Sequence, residues 1–182
     1  MHRNLALPVL VVAIAVLAVG SAMVGAGQHA DDKQLLSKLS AGRHTLLDGI
    51  RQAEKTDGPA ISAKFEMEGD QLMLSVYTAK QGRDRDAEHN TLMELNGPAT
   101  EAAWAPKTEV FPDKEHIARS AMQLTLMQLS RMSLSDVIKK AEAQQPGTVY
   151  SAIPAVQDGR PVVSVLIATK DGLGKHVTID LK

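Results

Sequence analysis

Two stretches decide how this chain is read: Thr45-Leu-Leu-Asp-Gly-Ile-Arg-Gln-Ala-Glu54 and Ser133-Leu-Ser-Asp-Val-Ile-Lys-Lys-Ala-Glu142. Each opens on a hydroxyl residue with an aspartate three positions later, and each carries Ile, a basic residue, Ala and Glu at the same offsets. A hydroxyl can cap the unpaired N–H groups of a first helical turn, and the carboxylate suits the positive end of the helix, so both stretches start helices. In the second, Leu134, Val137, Ile138 and Ala141 form one apolar stripe; the first keeps Leu46, Ile50 and Ala53. Asp57-Gly58-Pro59 and Pro146-Gly147 then stop the helices, by the positive-φ freedom of glycine and the missing N–H of proline.

Working outward, the same order of signals follows each helix. The copies are offset by 133 − 45 = 88 residues at the helix, and by 90 at Glu68-Gly69-Asp70 against Asp158-Gly159-Arg160 and at Lys80-Gln81-Gly82 against Lys170-Asp171-Gly172. After the helix the period falls to two: Lys64, Glu66 and Glu68 alternate with Phe65 and Met67, the pattern of a half-buried strand. Gly69 turns the chain into a strand over 72–79. In the second copy a strand over 149–156 runs through Asp158-Gly159, a two-residue hairpin signal, into a strand over 162–169. Pro154 and Pro161 cannot donate to a ladder and are expected at an edge, a bulge or a strand start. A second turn, 81–90 in the first copy and 170–174 in the second, leads to a third strand ending at Leu92-Met-Glu-Leu95 or Val177-Thr-Ile-Asp-Leu181. The expected fold is α+β, a tandem repeat of a helix packed on a three-stranded antiparallel meander.

A further helix should precede each copy, over 31–39 with Leu35, Leu36 and Leu39, and over 113–129 with Ile117, Ala121, Met122, Leu124, Leu126 and Leu129. Units of this size bury too little surface to stand alone, so the halves should pack on each other or on a partner. Gly97 to Pro112, with Pro98, Pro106 and the only tryptophan, Trp104, reads as a linker that docks.

The second half, from Ser133 through Pro146-Gly147, Asp158-Gly159-Arg160-Pro161-Val162 and Lys170-Asp171-Gly172 to Val177-Thr-Ile-Asp180, resembles a PepSY domain. The first half resembles a more divergent copy, with a longer second turn through Arg83-Asp-Arg-Asp86. The division is then a leader at 1–26, a first unit with its leading helix at 31–96, the linker at 97–112, and a second unit with its leading helix at 113–182. The resemblance implies an exported, noncatalytic module that restrains a neighbouring protein of the cell envelope, with a peptidase as the first candidate. It brings no catalytic residue to carry over. One physical route to such restraint is strand addition at the edges of the hairpins.

The leader is read from its own residues. His2 and Arg3 make a basic start, residues 5–19 are apolar, and small residues follow at Gly20, Ser21, Ala22, Gly25 and Ala26. This is the outline of an export signal cleaved after Ala26, or after Ala22. The alternative is an uncleaved inner-membrane anchor, since residues 5–26 are uncharged over a length that can span a bilayer; only then would the chain touch a membrane.

Composition bounds the rest. Across 182 residues, 20 basic side chains face 21 acidic ones, with no run of positive charge that would suit a nucleic-acid backbone. With no cysteine there is no disulfide, zinc ribbon or thiol nucleophile. His44, His89, His116 and His176 are scattered without the spacing of a helical zinc site, and no G-x-S-x-G elbow occurs. Glu66, Glu68 and Asp70 read as a solvated strand face rather than an acid and base pair. Gly172-Leu-Gly-Lys175 is a turn, too short for a phosphate loop. Met122, Met127 and Met132 would suggest copper(I), but five-residue steps on a helix turn the sulfurs apart, and core packing is the better reading. No catalytic, cofactor-binding or metal-ligating residue is expected. Two alternatives stand beside regulation: a structural envelope protein, and a tandem inhibitor resembling the β-lactamase inhibitor protein. The latter would use an aromatic-rich sheet, for which only Phe65, Tyr77, Trp104, Phe111 and Tyr150 are available.

Overall fold

Both capped helices form where the hydroxyl and aspartate stand. Thr45 caps α1 (Leu46–Ala53) and Ser133 caps α3 (Leu134–Gln144). In each, the hydroxyl accepts from the aspartate's backbone N–H at 3.1 Å while the aspartate accepts from the cap's own N–H, a complete capping box. The computed structural model describes residues 33–182, and the leader 1–26 lies outside them. The helix expected over 31–39 is present at 33–38 and tightens into a 3-10 turn, Leu39–Ala41.

From α1 the chain runs through β1 (Ala60–Glu68), β2 (Gln71–Ala79), β3 (Leu92–Pro98) and β4 (Lys107–Val110). It then forms α2 (Lys114–Gln128) and α3, followed by β5 (Thr148–Gln157), β6 (Arg160–Ala168) and β7 (Gly174–Asp180). All strands join one seven-stranded antiparallel sheet in the order β4-β3-β2-β1-β5-β6-β7. The architecture is α+β. The two runs of strands meet where β1 pairs with β5 through Ala63 opposite Ala152 and Lys64 opposite Ser151. The first strand of each run is irregular near its start, between Ala60 and Ser62 and between Val149 and Ser151.

One expectation is corrected. Residues 97–112 are not simply a linker, because β3 extends to Pro98 and 107–110 form a fourth strand on β3, Lys107 opposite Asn96. The first run therefore has four strands where three are expected. The segment between them docks as well: Trp104 is buried, its indole N–H donates to the Gly97 carbonyl at 3.2 Å, and Gln52 of α1 donates to the Trp104 carbonyl at 2.8 Å. Gly97 permits this approach, since a Cβ there would lie 2.9 Å from Pro106 Cα and 3.0 Å from the indole nitrogen.

The turns follow local chemistry. Asp158 and Gly159 both adopt positive φ, 51° and 72°, the backbone that a tight two-residue hairpin requires. Pro154 sits within β5, but on the stretch beyond the two residues paired with β1, so its missing N–H opposes no acceptor of that strand.

The core is divided by the sheet. A Cβ at Gly49 would meet Leu74 and Val76, so α1 packs on the face carrying Leu72, Leu74 and Val76. α3 touches α1 and packs over β5, β6 and β7 on that same face. α2 crosses the opposite face, where buried Ser62 of β1 donates to Gln123 at 2.7 Å. Its Leu124 and Met127 are fully buried, while Ile117, Met122 and Leu129 are exposed. Among the described residues no helix is long and apolar enough to cross a membrane.

Candidate functional site

α2 covers only part of its face. Where it stops, alternate residues of β1 to β4 are left uncovered: Glu68, Met73, Glu94, Asn96, Pro98, Lys107 and Glu109 line a cleft of about 460 Å³. Strand alternation accounts for the set, since register places Glu66 opposite Met73, Ser75 opposite Asn96, and Glu94 opposite Glu109 on one side of the sheet. The cleft opens toward β4, whose residues are all exposed.

A polar network forms its floor. Lys64 pairs with Glu66, Ser75 donates to the other Glu66 oxygen at 2.6 Å, and Asn96 donates to Ser75 and to Glu68, each at 3.0 Å. Ser75 is fully buried and the Lys64 and Glu66 side chains are less than one-third exposed, so these groups hold each other in place. Deeper in, Tyr77 stacks on Phe111 at 5.5 Å and lies under the Lys64 ammonium at 5.9 Å. Burial, then the nearby Glu94 and Glu66 carboxylates, push its phenol far above the usual tyrosine pKa, so it is neutral over the whole ordinary pH range.

Of the carboxylate row, Glu68 and Asp70 are exposed as the alternation suggests, and Glu66 is half-buried. Glu66 is tied to Lys64 and Ser75, Glu68 accepts from Asn96, and only Asp70 stands apart, in the turn beside Gln34. Nothing in the local pattern marks Ser75 and Asn96 as partners, because they come from other strands at register positions that only the sheet defines. In the cleft itself Glu68, Glu94 and Glu109 face Lys107, a balance of 1 − 3 = −2. Such a surface suits a cationic, hydrogen-bonding group of a partner rather than an anion.

The other residues noted in the sequence stay dispersed. His44 lies 2.9 Å from the Glu101 carbonyl, His89 and His116 contact Asp86 and Asp113 at 2.7 and 2.6 Å, and His176 contacts Ser164 at 2.8 Å. Asp113 and Asp86 are both held below the usual carboxylate range, Asp113 first by the His116 backbone N–H and Asp86 first by the His89 side chain. Among the described residues no group of three His, Asp or Glu side chains gathers to hold a metal ion. Met127 is in the core, Met122 is exposed and Met132 is half-buried. Phe65, Tyr77, Trp104, Phe111 and Tyr150 are all buried, so the sheet does not present them to a partner.

Among the described residues the sheet ends on two edge strands, β4 and β7. In an antiparallel ladder, successive residues point their N–H and C=O alternately to either side. Phe111 N–H bonds to Leu92, so β4 turns Lys107 and Glu109 inward and Thr108 and Val110 outward. Leu181 N–H bonds to Pro161 and Thr169 N–H to Leu173, so β7 turns Gly174, His176, Thr178 and Asp180 outward. Among the described residues no strand pairs with either outer side. No family model matches this chain, and neither a curated protein nor a solved structure matches it.

Proposed function

We propose that the chain is an exported, noncatalytic binding module of PepSY type, built from two copies of one unit, that regulates a protein of the cell envelope, with a peptidase as the first candidate. The carrying observation is the junction of the acidic cleft with the open edge of β4. An extended segment of a partner added along β4 would bond to the backbone of Thr108 and Val110 and lay alternate side chains over Glu109, Glu94 and Glu68. A basic residue there would gain charge complementarity that steers association and sets register.

Several features support a binding role. The polar side chains under the cleft are committed to one another, and the three cleft carboxylates surround open space. The repeat reading is supported by the matching capping boxes, by the glycine that follows each capped helix, and by the irregular start of β1 and β5. An aromatic docking surface of the tandem-inhibitor kind has no support, because the aromatic rings are buried.

The test is a cross-linked capture from envelope extract with mass spectrometry, run with the full chain and two variants. Thr108→Pro removes an outward N–H without touching the bonds to β3, and Glu109→Lys reverses a cleft charge. Capture of one envelope protein that is lost in both variants is expected; capture of nothing, or capture unchanged by either, sinks the reading.

A further inference from the structure

The other edge carries a different inference, independent of the proposed function. β7 is longer than β4, and its outward backbone groups belong to four residues, Gly174, His176, Thr178 and Asp180. An edge of this length is normally covered or blunted, because its unpaired N–H and C=O groups template the addition of a strand. We propose that β7 pairs antiparallel with β7 of a second copy, about a two-fold axis through Thr178, to give a continuous sheet across a homodimer.

The register follows from the side chains. With Thr178 on the axis, His176 of each copy lies opposite Asp180 of the other, and Val177 lies opposite Ile179. On the open face, His176 is already held by Ser164, 2.8 Å from Nε2, so Nδ1 is the ring nitrogen left to donate across the seam to the Asp180 carboxylate, one oxygen of which lies 3.7 Å from Arg160 of its own chain. On the helix-covered face, half-buried Val177 and buried Ile179 meet their counterparts and continue the apolar surface under α3. Thr178, whose hydroxyl donates to Gln157 at 3.2 Å, lies opposite its own copy on the axis.

Other registers are worse. Moving the axis to His176 sets the imidazoles opposite each other, and moving it to Asp180 does the same to the carboxylates. An axis at Val177 puts Lys175 opposite Ile179, and one at Ile179 puts His176 opposite Lys182. Like charges directly opposite destabilise a strand pair, whereas opposite charges stabilise it. The second copy is favoured over an arbitrary strand because β7 is complementary to its own reverse.

The absence of cysteine gives a direct test. The full chain should run as a dimer by light scattering after gel filtration, and Thr178→Cys should form an interchain disulfide under mild oxidation, since Cα atoms of facing residues in a bonded pair lie about 5.5 Å apart. Thr108→Cys, on the β4 edge, should not. His176→Asp sets Asp against Asp at both ends of the seam and should weaken the dimer at least about tenfold, since two favourable pairs are lost and two repulsive ones gained. The double exchange His176→Asp with Asp180→His should restore it. A mass of one copy at about 100 µM, roughly a hundredfold above a micromolar dissociation constant, would overturn the proposal. So would failure of the double exchange to restore a dimer that His176→Asp had broken, or equal cross-linking at residues 108 and 178.

Discussion

The β1–β4 end of the sheet and the β5–β7 end start from the same local instructions and finish differently. Each begins with a capped helix, a glycine-bearing break and an irregular first strand. At the first end, residues 99–106 fold back to bury Trp104 under Gly97, and β4 then covers the outer side of β3. At the second, β7 ends the sheet, and among the described residues it pairs on its inner side only. The comparison teaches that one buried ring and one close-approach glycine can decide whether a run of strands gains a further one.

The sharpest way to break this comparison is Trp104→Ala. Losing a buried tryptophan costs about 3–5 kcal/mol, and urea denaturation should show it. Hydrogen exchange should place the loss in β3 and β4 and leave β6 and β7 protected; uniform loss would mean that the two ends do not differ in this way.

The two helix-stop glycines sharpen the contrast. A Cβ at Gly58 would lie 2.4 Å from the Ala79 carbonyl oxygen, and one at Gly147 would lie 2.5 Å from that of Ala168. Either Gly→Ala change should therefore destabilise by about 1–3 kcal/mol through overpacking against backbone. Gly58→Ala should cost about 1 kcal/mol more, because Gly58 also has a φ of +82°. Equal melting temperatures for the two variants would remove the asymmetry.

Gln123 ties α2 to the middle of the sheet through Ser62, both buried. Gln123→Ala leaves that hydroxyl without its partner and should cost about 1–3 kcal/mol in thermal or chemical unfolding. Gln123→Ala with Ser62→Ala should cost less than the sum of the singles, since the second change removes the orphaned group.

The capping boxes are where the two ends should behave alike. Thr45→Ala and Ser133→Ala should each cost about 1 kcal/mol. The pH dependence follows the same groups. Asp48 is held below its ordinary value of 3.8 first by the Thr45 backbone N–H, and Asp136 first by the Ser133 hydroxyl. A carboxyl whose pKa is lowered by folding contributes stability above its unfolded pKa and loses it as pH falls through the folded value. Stability should therefore fall with acid only below the ordinary aspartate range, and Asp48→Asn or Asp136→Asn should flatten that fall. An unchanged acid limb in both variants would exclude the caps as its source.

Much of the fold is legible along the chain. The hydroxyl-to-aspartate spacing placed the starts of α1 and α3, Asp158-Gly159 marked the β5–β6 hairpin, and alternation around Phe65 marked β1. β4 was not legible, because Lys107-Thr-Glu-Val110 is four exposed residues with no buried side to set a period. The cleft was legible only as a row of carboxylates on one strand. Its Ser75, Asn96 and Glu94 belong to strands whose register depends on β2 and β3 being laid beside β1.

What the sequence by itself determined are the features settled within a few residues: where helices start and stop, where hairpins turn, and which strand positions are apolar. These depend on hydrogen bonds and torsional preferences that act over one turn of chain. Tertiary structure alone decided that β1 would join β5 through Ala63 and Ala152, that α2 would cross the face opposite α1 and α3, and that β4 would add a fourth strand beyond β3 while β7 ends the other side of the sheet. Those outcomes rest on contacts between residues far apart in the chain, where the summed burial of many side chains, and no local signal, selects the partner.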